Sequence, residues 1–142
     1  MTAGRVLAID LGEKRIGLAL SDGLRIVAKP LHVFERTSRR ADFDEYRRMI
    51  LENDVTLVVM GLPTYLDGSD SDQTRWVRDY SAELAQNIDV PLTLHDETHS
   101  TDIARQRMIE LGYNKKKRQS ERDAVAAAVI LQDFLDLQPT SH

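Results

Sequence analysis

The sequence predicts a single α/β domain, a mixed five-stranded sheet with helices on both faces. Three observations predict it. The first 34 residues hold three short strand-like runs separated only by turns, which reads as an antiparallel meander. After them, short continuous apolar runs alternate with longer amphipathic stretches. Strands separated in this way are parallel, with right-handed crossovers. The chain has 142 residues, enough for one compact domain with its own core, and it shows no internal repeat, linker or low-complexity segment.

Residues 6–9 form the first strand, an apolar run ending in Asp10. Leu11-Gly12 and the charged turn Glu13-Lys14-Arg15 lead into a second apolar strand over 16–20. Ser21-Asp22-Gly23-Leu24 is a turn, and 25–34 is a third strand. Pro30 favours an edge position for that strand, because proline cannot donate to a ladder. Thr37 or Ser38 caps a helix running to about residue 53, with Phe43, Tyr46 and Ile50 as its apolar stripe. Residues 55–60 are apolar throughout, as in a strand buried on both faces, and Gly61-Leu62-Pro63 ends it. A loop over 64–71 turns at Asp67-Gly68. The helix over 72–88 then points Trp76, Tyr80, Leu84 and Ile88 into the core. Residues 90–94 form the fifth strand, ending in His95-Asp96-Glu97. Ser100 or Thr101 caps a helix to about residue 111, closed by Gly112. A basic loop over 113–119 precedes the last helix, from Ser120 to about residue 137, and residues 138–142 are a frayed tail.

Composition narrows the function. A chain that is 42% hydrophobic and 30% charged is soluble and globular. Without cysteine it has no disulfide framework, thiolate nucleophile or cysteine-bound zinc. It has neither an apolar run of about 18 residues nor a signal-peptide layout, which predicts a cytoplasmic protein with no membrane partner. The net charge of -4 disfavours a general nucleic-acid coat protein but allows a local basic face.

Asp10 is the anomaly, since a carboxylate ending a buried strand costs several kcal/mol unless it is paired, solvated or bound to a cation. Sites in open α/β sheets form beyond the carboxyl ends of the parallel strands. That rule places Asp10 at the same edge as Asp96 and Glu97. Asp123 opens the stripe Asp123, Ala126, Ala127, Ile130, Phe134, the face of the last helix that packs on the sheet. Each acid also has a plain structural reading. Asp10 suits a turn before Gly12, Glu97 suits a surface strand end, and Asp123 completes a capping box from Ser120. If the acids converge, their repulsion calls for a cation, and an all-oxygen set suits Mg²⁺ or Mn²⁺. Asp10, Glu97 and Asp123 are then catalytic and metal-ligating candidates, with Asp96 a further possible ligand. One or two ions, roughly 3.5–4 Å apart if two, would hydrolyse a phosphodiester without a side-chain nucleophile.

His95 and His99 flank the strand end, in either a structural or a catalytic role. The basic residues carry two readings as well. Arg39, Arg40, Arg47 and Arg48 form either a solvated helix face or a phosphate-contacting one. Lys115, Lys116, Lys117 and Arg118, next to Asp123 in sequence, are either a solvated run or a grip on a polyanion. Gly12, Lys14 and Arg15 would complete the nucleic-acid contact, with Gly12 giving room for backbone beside a phosphate.

Four motifs, AIDLGEKRIGLALSD (8–22), VVMGLPTYLDGS (58–69), LHDETHST (94–101) and DAVAAAVILQDFL (123–135), resemble those of the YqgF/RuvX family of Holliday-junction-resolvase-like nucleases. The resemblance covers about residues 5–136. It implies a three-layer RNase H-like fold in which the second strand runs against the rest, with Asp10, Glu97 and Asp123 at the family's acidic positions. It further implies a cytoplasmic, metal-dependent endonuclease that processes the 5′ end of precursor 16S ribosomal RNA in ribosome biogenesis. Kinship with RuvC suggests DNA-junction resolution as an alternative. The family's third motif usually reads Asp-Glu-Arg-Leu-[Ser/Thr]-Thr, and here Thr98 and His99 replace the Arg and Leu. If that arginine binds phosphate or orients Glu97, Thr98 cannot replace it, which keeps open a non-catalytic RNA-binding assembly factor. The Asp-Leu-Gly hairpin also resembles the first phosphate loop of actin/hexokinase-type phosphotransferases. That fold needs a second such domain, and this chain lacks a second Asp-x-Gly loop.

Overall fold

Period-two alternation along the first strand sets the two faces of the sheet. Leu7, Ile9 and Leu11 point to one side, while Val6 and Ala8 point to the other. The computed structural model describes residues 4–97 and 119–138, with positions 106, 109, 110 and 112 between them. The elements are β1 (Arg5–Leu11), β2 (Arg15–Ser21), β3 (Ala28–Glu35), α1 (Arg39–Glu52), β4 (Val55–Leu62), α2 (Asp72–Ala85), β5 (Leu92–Asp96) and α3 (Gln119–Leu137). The five strands lie in the order β3-β2-β1-β4-β5. β1, β4 and β5 are parallel, β2 is antiparallel to both β1 and β3, and β3 therefore runs with β1. This is the sheet that the family resemblance implies, and Pro30 sits on an edge strand as expected. The helix expected over 100–111 falls mainly on residues outside the described set. The basic loop over 113–118 and the last four residues also lie outside it.

Phe43, Tyr46 and Met49 of α1 and Val77, Tyr80 and Leu84 of α2 pack against the Leu7–Ile9–Leu11 face. Of the stripe expected on α1, Ile50 is only partly buried, and Asp42 is the unexpected buried member. Asp42 accepts from the Tyr80 hydroxyl at 3.0 Å, and the Tyr46 and Tyr80 hydroxyls meet at 3.0 Å. Ser38 is the α1 cap, its side chain accepting from the Ala41 N–H at 3.1 Å. The arginines of α1 fit the solvated-face reading. Arg39 pairs with Glu83 at 2.7 Å and Asp79 at 3.0 Å, Arg47 pairs with Asp44, and Arg48 pairs with Glu45 and Glu52.

Several boundaries differ from the sequence expectation, each for a local reason. β3 starts at Ala28 because the Asp22 side chain captures the Ile26 and Val27 N–H groups at 2.7 and 2.9 Å. β4 continues through Gly61 and Leu62, and β5 through His95 and Asp96, because these residues pair with one another. α2 stops at Ala85, where the Asn87 side chain donates to the Glu83 carbonyl at 2.8 Å.

The α3 face is also turned from the expected stripe. Ala127 and Ile130 of that stripe are buried as expected, but Ala126 and Phe134 are only half-buried, and Ala124, Ala128, Leu131 and Leu135 complete the buried side. The cause is steric: the sheet presents Ala8, Ala19 and Ala28 here, and the helix alanines meet them closely. Gln132 is fully buried with its amide satisfied, accepting from the Ala28 N–H and donating to the Ile26 carbonyl, both at 3.0 Å. No described helix is long and apolar enough to cross a membrane.

Candidate active site

Asp10 points to the α3 side of the sheet, in alternation with Ala8 and Val6. It pairs with Gly17 on β2, and because Ile9 pairs with Met60, Gly61 lies level with it on β4. Asp10 is thus flanked by a glycine on each neighbouring strand. The space those two positions leave is filled by the other two acids' segments. A Cβ on Gly17 would lie 2.1 Å from the Asp123 carbonyl oxygen, so α3 approaches β2 only because that Cβ is missing. A Cβ on Gly61 would lie 2.4 Å from Glu97 Oε1. Sequence reasoning missed both glycines as site residues. Their signal was available, since a glycine inside an apolar strand marks a close approach.

The electrostatics follow from that crowding. Burial first, and then the Asp123 charge, raise the Asp10 pKa from 3.8 to about 6. Burial raises Glu97 from 4.5 to about 7, with added repulsion from Asp10 and then Asp96. Asp123 is half-buried and accepts a hydrogen bond from Arg15 Nε at 2.7 Å. Gly12 closes the hairpin, its N–H donating to the Arg15 carbonyl at 3.0 Å. Lys14 is exposed at the same turn. Arg36 fixes that turn, donating from its backbone N–H to the Lys14 carbonyl at 2.9 Å and from Nη1 to the Glu13 carbonyl at 2.7 Å.

Strand alternation separates Asp96 from Glu97. Asp96 accepts from the Thr64 hydroxyl at 3.0 Å. Its ladder partner is Leu62, which packs with the α1 and α2 core. His95 takes the structural role, with Nε2 2.6 Å from Asp133 Oδ2 and its ring edge-on to Phe134. Thr98, His99 and the run Lys115, Lys116, Lys117 and Arg118 lie outside the described residues.

A divalent cation such as Mg²⁺ needs oxygen donors held close together. Asp10 and Glu97 offer oxygen donors, lie close together, and carry a repulsion that a hard cation would relieve, so they fit one. Asp123 is adjacent but engaged by Arg15, and no three described Asp, Glu or His side chains already form a metal cage.

The five-stranded sheet and its helices form an RNase H-like fold, the fold also seen in RuvC. RuvC from T. thermophilus, solved in complex with a Holliday junction substrate, superposes with a TM-score of 0.62 over 93% of each chain at 16% identity. The fowlpox virus resolvase, solved with Holliday junction DNA, gives 0.56 at 10% identity, over 93% of this chain and 97% of that one. At these identities the likeness is one of fold. The RuvX family, described as Holliday junction resolvase, matches residues 4–137, and the chain belongs to that family. A relative from Maridesulfovibrio salexigens is 43% identical over 131 residues, 92% of this chain and 97% of its own. One from a Roseiflexus species is 40% identical over 135 residues, 95% of this chain and 96% of its own. Both carry the name "Putative pre-16S rRNA nuclease".

Proposed function

We propose that this protein is a divalent-metal-dependent endonuclease of structured RNA, which trims the 5′ end of precursor 16S ribosomal RNA in the cytoplasm. The observation that carries this reading is the forced proximity of Asp10 and Glu97 at the carboxyl edge of the parallel strands. The names of its relatives supply the substrate class. Asp10 and Glu97 would hold Mg²⁺ or Mn²⁺, which supplies an activated water and stabilises the leaving oxygen of a phosphodiester. Asp123 becomes available as a further ligand when Arg15 turns from it to a substrate phosphate. Asp10, Glu97 and Asp123 are thus the proposed catalytic residues. Lys14, Arg15, Lys115, Lys116, Lys117 and Arg118 would hold the polyanion.

The test sets a precursor 5′ leader beside a four-way DNA junction in Mn²⁺. Cleavage of the leader by the wild type is expected, with a loss of about 10²–10³-fold in Asp10→Asn, the scale on which removing a catalytic electrostatic group acts. Full activity of Asp10→Asn would sink the metal site, and cleavage of the junction alone would replace RNA by DNA as substrate. Arg15→Gln tests the proposed exchange of partners. Its KM for RNA should rise about tenfold, and its rate should depend less steeply on salt. An unchanged salt slope would leave Arg15 a purely structural partner of Asp123.

A further inference from the structure

Glu97 directly follows β5, the shortest of the described strands. β5 is an edge strand, paired along one side with β4, and no residue of it is fully buried. α3, which carries Asp123, lies mainly over β1, β2 and β3. Backbone pairing alone therefore leaves Glu97 free to move relative to Asp10 and Asp123. The two residues before it are each pinned by a side chain. His95 and Asp133 meet at 2.6 Å between β5 and α3, with side-chain exposures of 11% and 7%. Asp96 accepts from Thr64 at 3.0 Å, in the loop that follows β4. By strand alternation these ties pull on opposite faces of β5. A carboxylate as buried as Asp133 must have a strong partner, and a cheaper way to fill that site would be apolar.

We infer that the buried His95–Asp133 pair, braced by Thr64–Asp96 on the other face, is the device that positions Glu97 against Asp10. His95, Asp133 and Thr64 are positioning residues: they act on cation and substrate through Glu97. The inference rests on the metal-site reading above and deepens it. Outer partners of this kind typically set metal affinity or activity by 10–100-fold.

The test uses the full chain and has a readout independent of cleavage, the affinity for Mn²⁺ by titration calorimetry. Asp133→Ala and Thr64→Val should each weaken Mn²⁺ binding about tenfold and lower kcat for RNA cleavage by a similar factor, with KM for RNA unchanged. Asp133→Asn, which keeps an acceptor for His95, should return both values to within about threefold of wild type. In the Glu97→Gln background Asp133→Ala should add no further loss of Mn²⁺ affinity, as expected of residues acting through one group. If Asp133→Ala does not fold, Thr64→Val and His95→Gln carry the same comparison. Variants that lose thermal stability but keep wild-type Mn²⁺ affinity and kcat would overturn the inference and leave the proposed function standing. A wild type that neither binds Mn²⁺ nor cuts RNA would overturn both.

Discussion

Glu97→Gln is expected to lower cleavage steeply and, at the same time, to stabilise the metal-free fold above pH 7. The two effects share one cause. Burial and the neighbouring acids raise the Glu97 pKa from 4.5 to about 7. Between those two values the folded protein holds a proton that the unfolded chain has already released. Stability therefore falls as pH rises through that window, and the loss is complete above about pH 7. At about 1.4 kcal/mol per pH unit the full shift would be worth about 3 kcal/mol, and relaxation of a half-buried group brings it to the order of 2 kcal/mol. Asp10, raised to about 6, adds a smaller contribution of the same sign between about pH 4 and pH 6. Glutamine is neutral at every pH and removes the Glu97 share. In chelator, the wild type should lose more thermal stability than Glu97→Gln between pH 5 and pH 8. Mn²⁺ should narrow the gap at pH 8, because it binds the ionised Asp10–Glu97 pair of the wild type more tightly than the single carboxylate left in the variant. Cleavage by the variant should fall about 10²–10³-fold, on the scale of a lost transition-state contact. Equal pH profiles for the two proteins would show that Glu97 is not held against Asp10 in solution.

That cost was legible in the sequence for Asp10, because a charge at the end of an apolar run stands out wherever the strand is placed. The order of elements was legible for a similar reason: long runs of period 2 or 3.6 survive errors of two or three residues at their ends. The division of labour between Asp96 and Glu97 was not. Adjacent acids on a strand face opposite ways, so their roles depend on whether the strand stops at Leu94 or continues, and only pairing with Leu62 fixes that. The α3 face was misjudged by about one residue. Gln132 and Asp133 are polar, yet both are buried, because Ala28, Ile26 and His95 satisfy them from more than 30 residues away. The arginines of α1 were ambiguous because acids of α2, Asp79 and Glu83, supply part of their pairing. The Arg15–Asp123 pair was not legible, because the two residues lie 108 positions apart.

Gly61→Ala and Gly17→Ala are expected to damage the site by different routes, although each adds one methyl group. Elsewhere in a strand the change would gain stability, about 0.5–1 kcal/mol from the restricted unfolded chain. At Gly61 the new Cβ would meet Glu97 Oε1 at 2.4 Å and Ile130 Cδ1 at 2.8 Å. Both are ends of flexible side chains, which can swing away. The fold should survive with a loss within about 1 kcal/mol, the overpacking and entropy terms largely offsetting one another. Glu97 yields its place, however, and a displacement of about 1 Å at a reacting centre is enough to cost about 10²-fold in rate. At Gly17 the Cβ would meet the Asp123 carbonyl oxygen at 2.1 Å and its carbon at 2.6 Å. Backbone cannot swing aside, so the first turn of α3 must lift from β2, and Ala124 with it. Stability should fall by about 2–3 kcal/mol, and activity with it. Thermal melts beside single-turnover cleavage separate the cases: Gly61→Ala should lose rate at near-normal stability, whereas Gly17→Ala should lose both. Wild-type cleavage by Gly61→Ala would mean that Glu97 does not work from beside Asp10. The same result in Gly17→Ala would mean that α3 need not lie against β2 for Asp123 to serve. The flanking glycines are what allow three acids to crowd one edge of the sheet, and that crowding is what supports the proposed cation site there.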